Sequence, residues 1–343
     1  MKAEQLRWLL PAAGGVVALA APYLLADSPY WLHVAIVAYF YAILASSWAL
    51  LAGYAGQFSF AHMAFMAIGA YGTGLMGKFW GTSPLVGIIL STLLAGFIGL
   101  IIGVLCLRLK GVYLALFTIA FAEVLRLLLN GELDITGGPN GLHLEPLLNT
   151  TSRVPYYYIM LGLLVVTLGF MYMLANSRFG LFFRSIREDM EAAAAMGVHI
   201  VRYRIMAFVI TAMIAGLAGG VQAHYVGIIT PNILILGQMS LVIAMAVIGG
   251  IESLMGAAIG AIIIQFTLEI LRTSFTIGPL TVDMTTWRMV IFGLLLMLTL
   301  RFARNGLIYP LIDKFYLEPG RKAAVARRLA RQQAAQAVQQ AGE

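Results

Sequence analysis

Apolar runs of about 20 residues recur along most of this chain, and they limit its possible folds more than any other feature. A helix of about this length crosses the ~30 Å hydrocarbon core of a bilayer. Charged residues make up only 11% of the 343 residues, whereas a soluble domain carries about a quarter. Because lipid offers no hydrogen-bond partners, each run must bond its backbone internally. The sequence therefore predicts an all-α polytopic membrane protein.

The runs define about ten transmembrane helices, each close to the length that a bilayer requires. The predicted spans are 8–25, 31–52, 60–77, 84–106, 112–130, 155–175, 205–227, 235–251, 254–272 and 287–303. The first run resembles a signal peptide, since Lys2 and Arg7 precede it, but the many spans after it favour an uncleaved first helix. The chain thus divides into a transmembrane domain, 1–310, and a basic, helix-prone tail, 311–343.

The distribution of positive charge predicts the orientation of these spans. With the N-terminus in the cytoplasm, most of the 22 Lys and Arg fall on the cytoplasmic side, as the positive-inside rule requires. The loops on the opposite side instead carry acids, namely Asp27, Glu132, Asp134, Glu145 and Asp283. Both termini are therefore expected in the cytoplasm. The tail lacks an apolar face, and its share of the net charge of +7 suits anionic lipid better than nucleic acid.

The segment 53–72, GYAGQFSFAHMAFMAIGAYG, places glycines and polar side chains between two apolar runs. Irregular or polar backbone survives at membrane depth only where it lines a cavity or is covered by protein. In transporters, interrupted segments point to the substrate path. We therefore expect a helix break at 53–59, followed by a helix face that borders a translocation pathway. The residues assigned to this pathway are Gly53, Gly56, Gln57, Ser59, His62, Phe65, Met66 and Gly69. The alternative is a glycine-rich packing seam whose polar groups satisfy one another.

The longest cytoplasmic loop, 176–204, is highly charged yet helix-prone. One charge at the centre of a membrane helix costs ~3 kcal/mol on insertion scales, so this loop must lie outside the bilayer core. Residues 187–196 are predicted to form a short helix with acids in its first turn, and Met196-Gly197 to end it. The alanine run leaves a slim surface that another protein can approach closely. An ordinary charged connector is the alternative.

The outer loop ITGGPNGLHLEP contains turn residues that can hold a fixed loop. The residues assigned to docking or gating on this side are Thr136, Gly137, Gly138, Asn140 and Gly141. A simple connector is the alternative for this segment.

Charged residues within the spans stand three apart, as Glu123 with Arg126 and Glu269 with Arg272, so each pair can neutralise itself. A proton-driven transporter would instead use an unpaired acid in mid-span. The scattered histidines and the single cysteine predict no metal site. GTGLMGKF (72–79) lacks the Ser or Thr that follows the lysine of a phosphate-binding loop. The sequence thus predicts no catalytic residues.

Five stretches resemble one family of transport proteins. Glu191-Ala192-Ala193 followed by Gly197 matches the EAA-x-x-x-G coupling motif of bacterial ATP-binding-cassette importer permeases. The surrounding SRFGLFFRSIRED and AAAAMGV resemble the version in LivM-type branched-chain amino acid permeases. Four other stretches resemble further blocks of this family, and all five occur in the order found in the family. The four are GYAGQFSFAHMAFMAIGAY, KGVYLALFTIAFAEVLR, TGGPNGL and GGIESLMGAAIGA. The I-x-L-P that closes the motif in many importers is missing, and the tail is not covered.

The resemblance implies a type II importer-like permease bundle in the bacterial inner membrane. The residues that would dock on an ATPase subunit are Arg187, Glu188, Asp189, Glu191, Ala192, Ala193 and Gly197. The implied partners are a LivH-type sister permease, two ATP-binding subunits and an extracytoplasmic solute-binding protein. ATP and magnesium would bind to the ATPase subunits, so this chain would hold no cofactor and would be a transport subunit, not an enzyme.

The resemblance also implies a cargo of branched-chain or other apolar amino acids. Urea and short amides are the alternative cargo, because permeases of urea importers resemble the same family. A stand-alone channel for a small neutral solute is a further alternative, although it would need no ATPase-docking loop. A structural subunit of a respiratory-type complex is the other rival class. It would need acids and lysines in series within the membrane, and this sequence lacks such a series.

Overall fold

The computed structural model describes residue 15 and residues 18–23, 28–109, 111–148, 150, 152–272, 275–277, 280–282, 284–302 and 306–307. Within this part of the chain, the fold is helical apart from two short antiparallel strand pairs and the connecting turns. The described residues of the predicted first span, 15 and 18–23, are helical. The tail 311–343 lies outside the described residues.

The helices follow one another with short connections. They are α1 (Pro29–Ala49), α2 (His62–Trp80), α3 (Pro84–Leu105), α4 (Val112–Gly131), α5 (Leu133–Thr136), α6 (Val154–Asn176), α7 (Arg178–Glu188), α8 (Met190–Ala195), α9 (Ile200–Val226), α10 (Leu236–Gly249), α11 (Leu254–Ile270) and α12 (Met284–Phe302). A π-helical turn (Leu50–Tyr54) extends α1, and a 3-10 turn (Cys106–Arg108) extends α3. Prolines occupy the first turn of α1, α3 and α6, where a missing backbone N–H costs nothing.

Two antiparallel strand pairs complete the described structure. Strand β1 (Leu142–His143) pairs with β2 (Ile228–Ile229), with Leu142 opposite Ile229. Strand β3 (Phe275–Ile277) pairs with β4 (Leu280–Val282). The first strand pair joins the outer loop to the segment that follows α9.

Five helical segments of the described chain are long and apolar enough to cross a membrane. They are Pro29–Tyr54, Pro84–Arg108, Val112–Gly131, Val154–Asn176 and Ile200–Val226. Each coincides with one predicted span, and α12 contains most of the last predicted span. The protein is therefore a helical, multi-pass membrane protein.

The predicted spans 235–251 and 254–272 differ from expectation. They correspond to α10 with 14 residues and α11 with 17 residues, which at 1.5 Å per residue are about 21 and 26 Å long. The two helices meet at a bend of 118°, so they form one broken span or a re-entrant element instead of two complete spans. Counted with this pair, the described residues hold up to six spans by length and composition, and the expected count of about ten is not reproduced.

Glycines allow this bend. Gly250 has a φ of 119°, a conformation that side-chain-bearing residues rarely adopt. A Cβ on Gly249 would lie 2.2 Å from the carbonyl oxygen of Gly256, so α10 and α11 approach each other backbone to backbone. Ser253 then caps α11 by accepting a hydrogen bond from the backbone N of Gly256 at 3.0 Å.

Helix α2 coincides with the predicted span 60–77 but is not among the five apolar segments. Its glycines, His62 and Lys78 lower its hydropathy. Helices α2 and α3 both lie against α9. Glycines allow these helices to approach closely. A Cβ on Gly99 of α3 would lie 2.5 Å from the Cβ of Ala212. Small residues therefore bring α9 to the centre of the bundle, as in other membrane helix pairs.

Candidate functional site

The coupling loop folds into two short helices, α7 and α8, that connect α6 to α9. The predicted single helix 187–196 is wrong in its start, because α7 ends at Glu188 and α8 follows Asp189. Asp189 causes the break: its backbone is extended, with φ −154° and ψ 112°. Its carboxylate accepts from the backbone N of Glu191 at 2.8 Å and of Ala192 at 3.0 Å. These N-cap bonds start α8 and compete with continuation of α7.

Gly197 ends α8, as the sequence predicts. Its φ is 83°, and the backbone N of Val198 donates to the carbonyl of Ala193 at 3.0 Å. The backbone N of Gly197 donates to Ala194 at 2.9 Å. This arrangement is a common glycine-based helix C-cap, so the loop turns sharply before α9 begins at Ile200.

Most residues assigned to ATPase docking are exposed, and they define the candidate docking surface. Its members are Glu188, Asp189, Glu191, Ala192 and Gly197, whereas Ala193 is buried. Met196, which the sequence analysis used only as a helix-ending residue, is 85% exposed. An exposed apolar side chain beside a run of alanines suits a surface that a partner protein covers.

Arg187 differs from its neighbours because its side chain faces the bundle. Its Nη1 donates to the carbonyl oxygen of Gly53 at 2.5 Å and to the carboxylate of Glu252 at 3.0 Å. Its Nε and Nη2 donate to Glu188. Arg187 and Gly53 belong to two different sites predicted from the sequence, and the structure brings them into direct contact.

The helix break predicted at 53–59 is present. The π-helical turn ends at Tyr54 and α2 begins at His62. Between them Gln57 is 1% exposed and Ser59 is fully buried, while Gly56 has a φ of 67°. The polar residues of this segment therefore lie inside the bundle and not on its surface.

Protein groups satisfy the backbone of the break. Nε1 of Trp48 donates to the carbonyl of Ser59 at 2.8 Å. The side-chain amide of Gln57 donates to the carbonyl of Arg204 at 3.2 Å. Coverage by protein is one of the two conditions under which irregular backbone survives at membrane depth.

The face of α2 assigned to the pathway packs against α9. His62 and Phe65 are fully buried, and Met66 is 4% exposed. A Cβ on Gly69 would lie 2.0 Å from the carbonyl oxygen of Gly216 on α9. In this conformation the face has the geometry of a closed packing seam, and it borders a path only if α2 and α9 separate.

His62 carries an unused hydrogen-bonding atom within this seam. Its Nε2 lies 3.3 Å from the hydroxyl of Ser47, which donates to the carbonyl of Thr211 at 3.2 Å. This pattern assigns the proton of His62 to Nε2 and leaves Nδ1 as an acceptor. Nδ1 is buried and has no hydrogen-bond partner among the described residues. A polar group that enters between α2 and α9 would find an acceptor there.

Hydrogen bonds and left-handed glycines shape the outer loop, in agreement with its turn residues. The hydroxyl of Thr136 donates to the carbonyl of Glu132 at 2.6 Å. Gly137, Gly138 and Gly141 have φ angles of 78°, 52° and 83°, which favour glycine. The loop then enters β1, whose pairing with β2 connects it to α9.

His224 fastens the outer loop to the bundle, a role that the sequence did not reveal. Its Nδ1 donates to the carbonyl of Glu145 at 2.6 Å, and its Nε2 lies 2.8 Å from the hydroxyl of Thr73 on α2. These partners are 79 and 151 residues away in the chain, so no local pattern marks them. Asn140, by contrast, is exposed.

The two predicted intramembrane ion pairs are present. Arg126 and Glu123 are 2.5 Å apart, and Arg272 and Glu269 are 3.2 Å apart. The hydroxyl of Tyr30 also donates to Glu269, a third member that the sequence did not reveal. Within the described residues, His, Cys, Asp and Glu form no group of three or more that could hold a metal ion.

An apolar cavity of about 200 Å³ lies between α11 and α12. Ile264, Leu268 and Phe292 contribute to its lining. None of the residues assigned to the pathway lines it, and the sequence analysis did not identify it.

Comparisons with known proteins identify relatives of this chain. The family model described as branched-chain amino acid transport system / permease component matches residues 30–300. The high-affinity branched-chain amino acid transport system permease protein LivM of Salmonella typhimurium is 28% identical over 306 residues, which cover 80% of this chain and 72% of LivM. LivH of the same organism is 28% identical over 286 residues, covering 76% and 90% of the two chains. The autoinducer 2 import system permease protein LsrC of Yersinia pseudotuberculosis is 32% identical over 192 residues, or 53% of each chain. No solved structure matches this one.

The matched range contains the coupling loop, the helix break and the outer loop. The resemblance to LivM-type permeases of ATP-binding-cassette importers is therefore confirmed. Because the family comprises permease components of transport systems, the expectation of a transport subunit and not an enzyme is confirmed as well. On this evidence the chain belongs to the family of branched-chain amino acid transport system permease components.

Proposed function

We propose that this chain carries branched-chain or other apolar amino acids across the bacterial inner membrane as the permease subunit of an ATP-binding-cassette importer. The observation that carries the proposal is the family match over residues 30–300. The names of LivM and LivH, which describe branched-chain amino acid transport, favour this cargo.

The proposed assembly pairs this chain with a LivH-type sister permease. Both LivM and LivH of one organism resemble this chain, which supports a core built from two related permeases. Two ATP-binding subunits and an extracytoplasmic solute-binding protein complete the importer. ATP and magnesium bind to the ATPase subunits, and this chain binds no cofactor and no nucleic acid.

The proposed topology has about ten helices in the membrane, among which α10 and α11 are the bent pair, and both termini lie in the cytoplasm. The clustering of Lys and Arg in the loops on one side supports this orientation. In this topology the permease domain is 1–310, and the basic tail 311–343 lies in the cytoplasm next to anionic lipid.

The coupling loop 176–204 is the proposed contact with an ATPase subunit. The exposed surface of α8 and the adjacent Met196 support docking there. Closure of the ATPase pair on ATP would push α7 and α8 and tilt the flanking helices α6 and α9. The bias between inward-facing and outward-facing states comes from the different affinities of the partners for each state.

The proposed pathway begins in the helix break, at Gln57 and Ser59, and continues along the face of α2 to Gly69. Phe65 and Met66 offer apolar contacts for an aliphatic side chain, and the free acceptor of His62 offers one polar contact. Movement of α9 away from α2 would expose this face. The outer loop around Asn140 is the proposed docking or gating surface for the solute-binding protein.

Related permeases differ in their cargo, so a second cargo class is tested beside the first. The name of LsrC describes autoinducer 2 import, so relatives of this chain carry different solutes. Urea and short amides are therefore retained as a second cargo class, and a stand-alone channel as a second transport class.

Reconstitution of the complete complex in vesicles tests the proposal. The chain would be co-expressed with the permease, ATPase and binding-protein genes that neighbour its own, and uptake of labelled leucine and of labelled urea would be followed with and without ATP. Leucine uptake that requires ATP and the ATPase subunits is the expected result. Full-rate uptake by the chain without ATPase subunits would establish a channel, and ATP-dependent uptake of urea alone would establish the alternative cargo.

A further inference from the structure

Arg187 lies in the last turn of α7, at the centre of the coupling loop, and its side chain is 28% exposed. Its guanidinium donates a hydrogen bond to the backbone of the π-helical turn, at Gly53, and forms ion pairs with Glu252 and with Glu188 of its own helix. Glu252 lies in the turn that separates α10 from α11. A single side chain therefore joins the coupling loop to both helix breaks of the bundle.

The two breaks also touch each other at this point. A Cβ on Gly53 would lie 1.9 Å from the carbonyl oxygen of Ile251, so the two backbones are in direct contact. A Cβ on Gly56 would lie 2.9 Å from Cγ of Arg187. The two breaks thus meet backbone to backbone, and the side chain of Arg187 joins the coupling loop to both.

A second arginine of α7 holds the same turn. The guanidinium of Arg184 lies 4.9 Å from the ring centroid of Tyr54, the last residue of the π-helical turn. Arg184 and Arg187 are three residues apart and therefore on one face of α7. This face points at the breaks, whereas α8 carries the exposed surface.

The contacts of Arg187 are better suited to passing on movement of α7 than to stabilising the fold. The side chain of Glu252 is 54% exposed, and ion pairs of such exposure contribute little to folding. A guanidinium, however, fixes the geometry of several acceptors at once because its donors form a rigid fork. A shift of α7 would therefore move the carbonyl of Gly53 and the carboxylate of Glu252 together.

We propose that Arg187 is a positioning residue that passes movement of the coupling loop to the two helix breaks, instead of contacting the ATPase. The inference rests on the proposed function, since it requires an ATPase that moves the loop. It deepens that function by assigning to Arg187 a role distinct from that of Glu191 and Ala192 on the exposed surface. The first break leads into the face of α2 that packs on α9, so the same contact connects the loop to the proposed pathway.

The test uses the complete importer in vesicles and five variants of this chain: Arg187→Gln, Arg187→Lys, Glu252→Gln, the double variant Arg187→Gln with Glu252→Gln, and Arg178→Gln as a matched control. Arg178 is an exposed arginine of the same helix. The measurements are solute uptake, ATP hydrolysis, their ratio, and the amount of ATPase subunit that co-purifies.

We expect Arg187→Gln to lower the ratio of uptake to hydrolysis by about two- to thirtyfold, the range given by coupling energies of ~0.5–2 kcal/mol, with the ATPase subunit still bound. Glu252→Gln should lower the ratio in the same direction. The double variant should be no worse than Arg187→Gln, because residues that act through one contact are not additive. Arg187→Lys should restore part of the ratio, and Arg178→Gln should keep the wild-type ratio.

Three results would overturn the inference. Normal coupling in Arg187→Gln would do so, as would a double variant whose loss is the product of the two single losses. Loss of the bound ATPase in Arg187→Gln with normal coupling in Glu252→Gln would instead place Arg187 at the ATPase contact. If the importer with Arg187→Gln does not assemble, the ratio of uptake to hydrolysis in Glu252→Gln becomes the test, because Glu252 lies outside the coupling loop. A wild-type ratio in that variant would then overturn the inference. A wild-type complex without ATP-dependent uptake would refute the proposed function itself.

Discussion

Replacement of Gly69 by alanine is expected to destabilise the bundle, because α2 and α9 meet backbone to backbone at this residue. The added Cβ would lie 2.0 Å from the carbonyl oxygen of Gly216, and ordinary contact begins at 3.4 Å. The two helices must therefore separate by about 1.4 Å at their crossing, in an interior that is close-packed. Overpacking typically costs ~1–3 kcal/mol, and we expect about 2–3 kcal/mol here because a backbone oxygen cannot rotate away.

Part of this cost is offset by helix propensity. Alanine is favoured over glycine in a helix by about 1 kcal/mol, so the net loss for Gly69→Ala is about 1–2 kcal/mol. Gly162→Ala provides the matched control. Gly162 lies in the interior of α6, is exposed, and a Cβ there would meet nothing within 4 Å. Its substitution should be neutral or stabilising by up to about 1 kcal/mol.

Unfolding of the purified variants in mixed micelles, titrated with sodium dodecyl sulfate and followed by circular dichroism, measures this difference. We expect Gly69→Ala to unfold at lower detergent fraction than the wild type, and Gly162→Ala at an equal or higher one. Equal stability of Gly69→Ala and Gly162→Ala would refute the closed contact between α2 and α9. It would favour a pathway face that is open in the resting protein.

Three further predictions concern the loop, the bundle and the outer side. Asp189→Ala removes the N-cap of α8 and should cost about 1 kcal/mol of local helix stability; ATP-dependent uptake should fall, whereas Asp189→Asn should retain it. Arg204 is 4% exposed and donates to carbonyls at the end of α3, so Arg204→Met should destabilise the protein by about 3 kcal/mol in the same unfolding assay. The exposed Arg202→Met should change stability by less than about 0.5 kcal/mol. His224→Phe should accelerate amide hydrogen exchange in β1, since it releases the outer loop, while the exposed His143→Phe should not.

Each of these predictions has a result that contradicts it. Unchanged uptake in Asp189→Ala would show that α8 forms without its cap. Equal stability of the Arg204 and Arg202 variants would mean that the carbonyls find other donors. Equal rates of amide hydrogen exchange in the two histidine variants would show that the contact at His224 does not hold the outer loop in place.

The helices of the bundle could be predicted from the sequence because their signals are local. Apolar runs long enough to cross a bilayer predicted five spans that the structure contains. Gly197 ended its helix as expected because a left-handed glycine acts within one turn. Glu123 and Arg126 paired as expected because residues three apart on a helix are neighbours.

Two local interpretations differed from the structure for physical reasons. The helix predicted at 187–196 divides at Asp189, because a carboxylate that caps a new helix competes with continuation of the old one. The spans predicted at 235–251 and 254–272 form a bent pair, because glycines allow the two backbones to touch. Hydropathy responds to neither effect, since both depend on hydrogen bonds and on space.

The sequence by itself determined that the chain is a helical membrane protein with a charged loop, a broken segment and a glycine-rich outer turn. Only the tertiary structure decided that Arg187 of the loop meets Gly53 and Glu252, which are 134 and 65 residues away. It also decided that the face of α2 is closed against α9. The reason is that hydropathy and turn chemistry act over a few residues, whereas the meeting of distant segments depends on how whole helices pack.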